Sequence, residues 1–126
     1  MQHIKGKKAV VSGGGSGIGR AIVDKLSAAG ALTAVADLQI PASLPASAHP
    51  FTCNVASAAA IDSLFAGVQE RLGTPDILIC SAGRGIHKKL TEGDSEWWRQ
   101  IIDTNLMGAL RMMRPLCLVC CPPAMR

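Results

Sequence analysis

Residues Ser12-Gly13-Gly14-Gly15-Ser16-Gly17-Ile18-Gly19 stand between a short apolar run over Lys8–Ser12 and a segment whose apolar residues Ile18, Ile22, Leu26 and Ala29 recur at helical spacing. A flexible glycine linker needs no such flanks. A turn leading from a buried strand directly into an amphipathic helix does, and its glycines then have separate tasks. Gly13 allows the tight turn, Gly17 lets the backbone approach a pyrophosphate, and Gly19 lets the helix pack closely on the sheet. Free N–H groups at the helix start then face the anion. The helix dipole contributes only about 0.3–1 kcal/mol there, so several oriented N–H bonds must carry the affinity.

Spacing separates the phosphate cradles. No Gly-Lys-Ser/Thr follows the turn, which excludes a P-loop for nucleoside triphosphates. The strict G-x-G-x-x-G fails too, because Ile18 and Arg20 fall where its last glycine would stand. The arrangement that fits is G-x-x-x-G-x-G at Gly13, Gly17 and Gly19. Asp37 closes the next apolar run, about 20 residues beyond Gly17, where a carboxylate can accept both ribose hydroxyls of an adenosine and repels a 2′-phosphate. Ser16 and Leu38 stand where a basic residue could have served that phosphate. The preferred cofactor is therefore NAD rather than NADP.

Beyond the turn, strand-like and helix-like periodicities alternate. Helix 17–29 stops at Gly30, and residues 32–36 form a second strand. Residues 38–50 hold Pro41, Pro45 and Pro50 and read as a surface connection, with a weaker third strand over 51–55. Ser57 caps a helix striped by Ile61, Leu64, Phe65, Val68 and Leu72, which Gly73 and Pro75 end. A fourth strand covers 76–80. Asp94 or Thr91 opens a last helix, with Trp98, Ile102, Leu106, Ala109 and Met113 on one face and Pro115 near its end. Strands alternating with helices imply parallel pairing and a doubly wound α/β sheet.

Composition narrows the function. The chain has 126 residues, 48% apolar and 17% charged, which suits one globular domain and neither a disordered nor a membrane protein. Its formal charge of +4 is dispersed, with no basic block of the kind that binds nucleic acid or a membrane surface. No apolar run approaches the roughly 18 residues needed to span a bilayer, and the amino end lacks a signal-peptide pattern, so a cytoplasmic location is expected. Five Cys without a regular framework imply reduced thiols. The single C-x-x-C at Cys117 and Cys120 lacks a second pair or a nearby His, so no metal site is expected. There is no Tyr, which rules out a phenolic acid or base on this chain.

Together these motifs resemble the short-chain dehydrogenase/reductase family over about residues 5–116, its amino-terminal, cofactor-binding portion. Residues 12–19 look like the family's T-G-x-x-x-G-I-G, with Ser12 for Thr, and the resemblance gives Ser12, Gly13, Gly15, Ser16, Gly17, Ile18 and Gly19 to the cofactor turn. Asn54-Val55 stands where the family has Asp-Val against the adenine. Cys80-Ser81-Ala82-Gly83 aligns with N-N-A-G, so Ala82 and Gly83 carry over as cofactor neighbours. Ile101-Ile102-Asp103-Thr104-Asn105-Leu106 resembles the helix bearing the family's catalytic Asn, here Asn105, whose implied role is to hold a water linking the active-site Lys to solvent. The implied fold is a Rossmann-like sheet ending after about four strands, with residues 1–116 as an incomplete NAD(P)-binding domain and 117–126 as a Cys/Pro-rich tail unlike the family.

The family continues with a catalytic Ser and a Tyr-x-x-x-Lys, in which Tyr is the acid/base and Lys lowers its pKa. Residues 106–126 contain no Ser, Tyr or Lys. The expectation is a truncated or frame-disrupted product: the NAD(H)-binding portion of an oxidoreductase that moves hydride between NAD(H) and an alcohol/carbonyl substrate, inactive alone. Two other readings stand beside it. One is a non-catalytic nucleotide-binding or dimerisation module, associating through the last helix or an open sheet edge. The other is an S-adenosylmethionine-dependent methyltransferase, which shares the alternating fold and the acidic residue after the second strand, although the glycine spacing and the context of Asn105 argue against it. Arg84, His87 and Lys88 follow the fourth strand, where they border a substrate site or sit as solvated loop residues.

Overall fold

The computed structural model describes residues 3–85 and 87–121, with only the backbone of Cys120. Strands β1 (Lys8–Ser12), β2 (Leu32–Asp37), β3 (Ala48–Thr52) and β4 (Ile77–Cys80) form one parallel sheet in the order β3-β2-β1-β4. Val10 pairs with Ala34 on one side and Leu78 on the other, so β1, like β2, is an interior strand of the sheet. Successive side chains of a strand point to opposite faces. Val10, Ala34 and Ala36 accordingly pack against Ile61, Leu64 and Val68 of α2 (Ala58–Arg71) and Met112 of α4 (Gly108–Cys120). Val11 and Val35 turn the other way, toward Val23 of α1 (Gly17–Ala28). Helices therefore cover both faces, the doubly wound arrangement expected, and each fully buried Val or Ile contributes about 1.5–3 kcal/mol.

The third strand begins earlier than the sequence implies. Pro50 reads as a turn residue, yet it lies inside β3, paired with Val35. The reason is the ladder's polarity. Thr33 N–H donates to Ser47 O and Cys53 N–H donates to Asp37 O, which puts the odd-numbered residues of this strand on the inner side. Pro50 thus stands where its missing N–H would have faced outward from an edge strand, the one place in a sheet where proline costs little. Cys53 and Val55 lie beyond the strand's end but are still buried.

The last helix also differs. It is α3 (Ser95–Ile102), a π turn over Asp103–Met107, then α4, with Pro115 inside α4 rather than near its end. Asp94 caps α3 by accepting from Trp97 N–H at 2.8 Å. The π turn shows in the Gly108 N–H, which donates to Asp103 O five residues back. Its buried face is not the one expected. Met112 is 0% exposed, whereas Met113 is 42% and Leu106 57% exposed, and Trp98 and Ile102 are also exposed. Apolar residues come here in adjacent twins, Trp97/Trp98, Ile101/Ile102 and Met112/Met113, so two parallel stripes satisfy the same period. Gly108 chooses between them. A Cβ there would lie 2.8 Å from Val55 Cγ2, so the helix comes close only on the glycine's side, and Met112, one turn on, is buried with it.

Candidate functional site

The carboxyl ends of the four strands open onto a cleft of about 620 Å³, within the size range of small-molecule sites. The glycine turn forms one wall. Gly13 N–H donates to Ala36 O at 2.7 Å, and Gly13 has φ +68°, a conformation L side chains rarely adopt. A Cβ at Gly13 would lie 2.7 Å from Ala82 backbone atoms, so the turn runs directly against the end of β4. At Gly19 the same construction strikes the carbonyl oxygen of Gly13, which leaves room for no side chain. The turn and α1 can meet only through bare backbone.

Helix starts differ across the molecule. Ser57 caps α2 by accepting from Ala60 N–H, and Asp94 caps α3, but Ser16 at the start of α1 makes no side-chain cap bond. Unlike the other two, α1 leaves its first N–H donors uncovered by a cap, and Ser16, Ile18 and Gly19 line the cleft.

Asp37 lines the cleft from the end of β2. Its Oδ2 accepts from Gly15 N–H at 2.9 Å and its Oδ1 from Gln39 N–H at 3.2 Å, so the carboxylate is fixed in place by backbone on both sides. A carboxylate has about four lone-pair sites, and two bonds leave capacity for a diol. Gly15 is needed for this: a Cβ there would come within 2.8 Å of Asp37 Oδ2. On the same side Asn54 uses its Oδ1 locally, accepting from Ala56 N–H at 3.0 Å, and Val55 is buried.

The far end is built from residues after β4. Ser12, buried under the turn, accepts from Ala82 N–H through its Oγ at 3.3 Å and ties β1 to this segment. Asn105, in the π turn, holds Arg84 at both backbone atoms: Oδ1 accepts from Arg84 N–H at 2.7 Å, and Nδ2 donates to Arg84 O at 2.8 Å. Arg111 braces the π turn, donating to Asp103 O at 3.2 Å and Asp103 Oδ1 at 2.6 Å.

Of the residues the sequence singled out, Gly13, Ser16, Ile18, Gly19, Asp37, Asn54, Val55, Ala82 and Gly83 come together as cleft lining. Ser12, Gly15 and Asn105 are hydrogen-bonded to lining residues as supports, whereas Gly17 is an exposed position at the start of α1 with φ +54° and open space around it. Among lining residues not assigned to the cofactor from sequence are Leu38, Cys53, Ser81 and Thr104, together with Arg84, which the sequence offered only as bordering a substrate site or as a solvated loop residue. Cys53 and Thr104 had no local signal, because the folding of the third strand and the π turn brings them there. Burial pushes the Cys53 thiol up from its ordinary value, which disfavours its thiolate. Among the described residues no cluster of His, Cys, Asp or Glu could hold a metal, and no helix is long and apolar enough to cross a membrane.

A glycine turn, an acidic residue after β2 and a cleft outside the strands' carboxyl ends define a nucleotide-binding α/β protein. More narrowly, the chain belongs to the short chain dehydrogenase family, whose sequence model matches residues 7–118. It is 33% identical over 120 residues to an uncharacterized oxidoreductase of Staphylococcus epidermidis, covering 90% of this chain and 52% of that protein. It is 34% identical over 118 residues to the Escherichia coli 3-oxoacyl-acyl-carrier-protein reductase FabG, covering 89% and 48% respectively. Thus the chain spans about half the length of the curated relatives it matches. Among solved structures, the fold is similar to ligand-free aldohexose dehydrogenase of Thermoplasma acidophilum, with a TM-score of 0.86, 22% identity, and coverage of 94% of this chain and 45% of that one. A 3-ketoacyl-acyl-carrier-protein reductase from Brucella melitensis complexed with NADH gives a TM-score of 0.83 at 21% identity, covering 90% and 50%.

Proposed function

We propose that this chain binds NAD(H) as the cofactor portion of an oxidoreductase that moves hydride between NAD(H) and an alcohol/carbonyl substrate, and that it does not turn the cofactor over unaided. The observation that carries this reading is the contrast at the helix starts: α2 and α3 are capped by their own side chains, whereas α1 opens uncapped on a cleft with a fixed carboxylate at its other end. In this reading the turn over residues 12–19 receives the pyrophosphate and Asp37 the adenosine ribose. Asn54 and Val55 border the adenine, and Ala82 and Gly83 the far half. Asp37 disfavours a 2′-phosphate, which supports NAD over NADP. The named activity of the Escherichia coli relative, a reductase, agrees with the reaction class. The chain has no Tyr. Positioned acid–base groups are typically worth about 10²–10⁴ in rate, so turnover by these residues alone is very low. Free thiols at Cys53, Cys80 and Cys117 fit a reducing, cytoplasmic setting.

Calorimetric titration of the purified chain with NAD, NADP and S-adenosylmethionine tests this. NAD binds most tightly, and Asp37→Ala weakens it by about tenfold or more, the scale of a lost charged hydrogen bond. A folded chain that takes up S-adenosylmethionine and not NAD would reverse the reading.

A second reading has its own observation. Trp98, Ile102, Leu106 and Met113 form an exposed apolar stripe along α3, the π turn and α4. We propose that this stripe pairs two copies of the chain. Light scattering decides it: a monodisperse monomer at high concentration removes the reading.

A further inference from the structure

Charge in the cleft is sparse. Among its described lining residues Asp37 is the one acid and Arg84 the one base. A dinucleotide brings a doubly negative diphosphate bridge, and with Asp37 that makes three negative charges in one cleft. The glycine turn offers only N–H dipoles in compensation. Arg84 sits two residues beyond Ala82, whose backbone abuts Gly13. Its main chain is pinned on both sides by the Asn105 amide.

The guanidinium itself is lightly engaged. One N–H donates to Gln100 Oε1 at 3.3 Å, and the Gln100 amide donates in turn to Glu96 Oε1 at 3.4 Å. A neutral amide thus stands between Arg84 and the carboxylate of Glu96. Arg20 and Arg111 each hold a carboxylate, at 2.9 and 2.6 Å, but Arg84 has no carboxylate within 4.0 Å among the described residues. Among the described residues four of its five N–H donors have no partner of this kind, and a guanidinium fork suits phosphate oxygens.

We propose that Arg84 is a ligand of the diphosphate bridge of the bound dinucleotide, supplying the positive charge that the glycine turn lacks. This rests on the NAD reading above. Arg84 here binds cofactor and has no part in proton transfer.

The test titrates the full chain and its Arg84→Gln and Arg84→Lys variants with NAD, ADP-ribose and adenosine, each at low and at physiological salt. Arg84→Gln is expected to weaken NAD and ADP-ribose by about tenfold, to flatten the fall of NAD affinity with salt, and to leave adenosine binding unchanged. Arg84→Lys retains most of the affinity. Melting temperatures should match the parent, because the bonds to Asn105 use backbone atoms. If the parent binds NAD and Arg84→Gln binds it equally well, the proposal for Arg84 falls and the NAD reading stands. Equal losses for adenosine and NAD also sink it, since the effect would then be structural. A folded parent that does not bind NAD overturns both.

Discussion

The segment β1–α1–β2 and the segment α3–π turn–α4 have similar lengths of regular structure, but they are fixed differently: glycines tie the first together locally, although its fully buried α1 side chain is Val23 and Ile18 of the expected stripe is 78% exposed. In β1–α1–β2, Gly13, Gly15 and Gly19 each stand where a Cβ would collide with neighbouring backbone, so the turn is fixed close to home. In the last helix two apolar stripes run side by side, and both satisfy the period. Periodicity finds a helix but does not orient one that carries apolar residues on adjacent faces. Orientation comes from a contact with a distant residue, Val55 against Gly108.

The contrast can be broken by substitution. The largest effect belongs to Gly19→Ala in the first segment, where the new Cβ meets the Gly13 carbonyl and neither backbone can retreat. A loss of about 5 kcal/mol or more is expected, enough to prevent folding at ordinary domain stability, as read by circular dichroism. Next comes Met112→Ala, which empties a fully buried site beneath α4 and costs about 2–5 kcal/mol in urea unfolding. Smallest is Met113→Ala, on the exposed twin stripe, within about 0.5 kcal/mol of the parent. Equal costs for the two methionines would mean that the helix sits differently against the sheet.

The sequence made most of the fold legible, and for local reasons. Strands β1, β2 and β4 are short apolar runs bounded by turn residues, and Ser57 and Asp94 cap helices as residues of their type do. It misplaced β3, because proline's meaning depends on whether a strand lies at an edge, and that depends on the order of all four strands. The π turn was also hidden, since one added residue in a helix leaves no mark in composition. In the cleft, Gly13 and Asp37 were legible from the turn and its spacing, and Ser16 and Ala82 from the resemblance to the family's motifs. Arg84 appeared only as a residue bordering a substrate site, and its isolation from carboxylates became visible only with Gln100 and Asn105 in place.

Asn105 is a spacer with a polarity. Its amide meets the backbone of Arg84 as a neighbouring strand's peptide would, one donor and one acceptor on a single rigid plane. Aspartate, nearly the same shape, would set two acceptors against that residue and push its carbonyl away, while leucine would offer neither bond. Position 105 thereby ties the π turn to the chain just beyond β4, and its amide polarity matches the one donor and one acceptor it meets there.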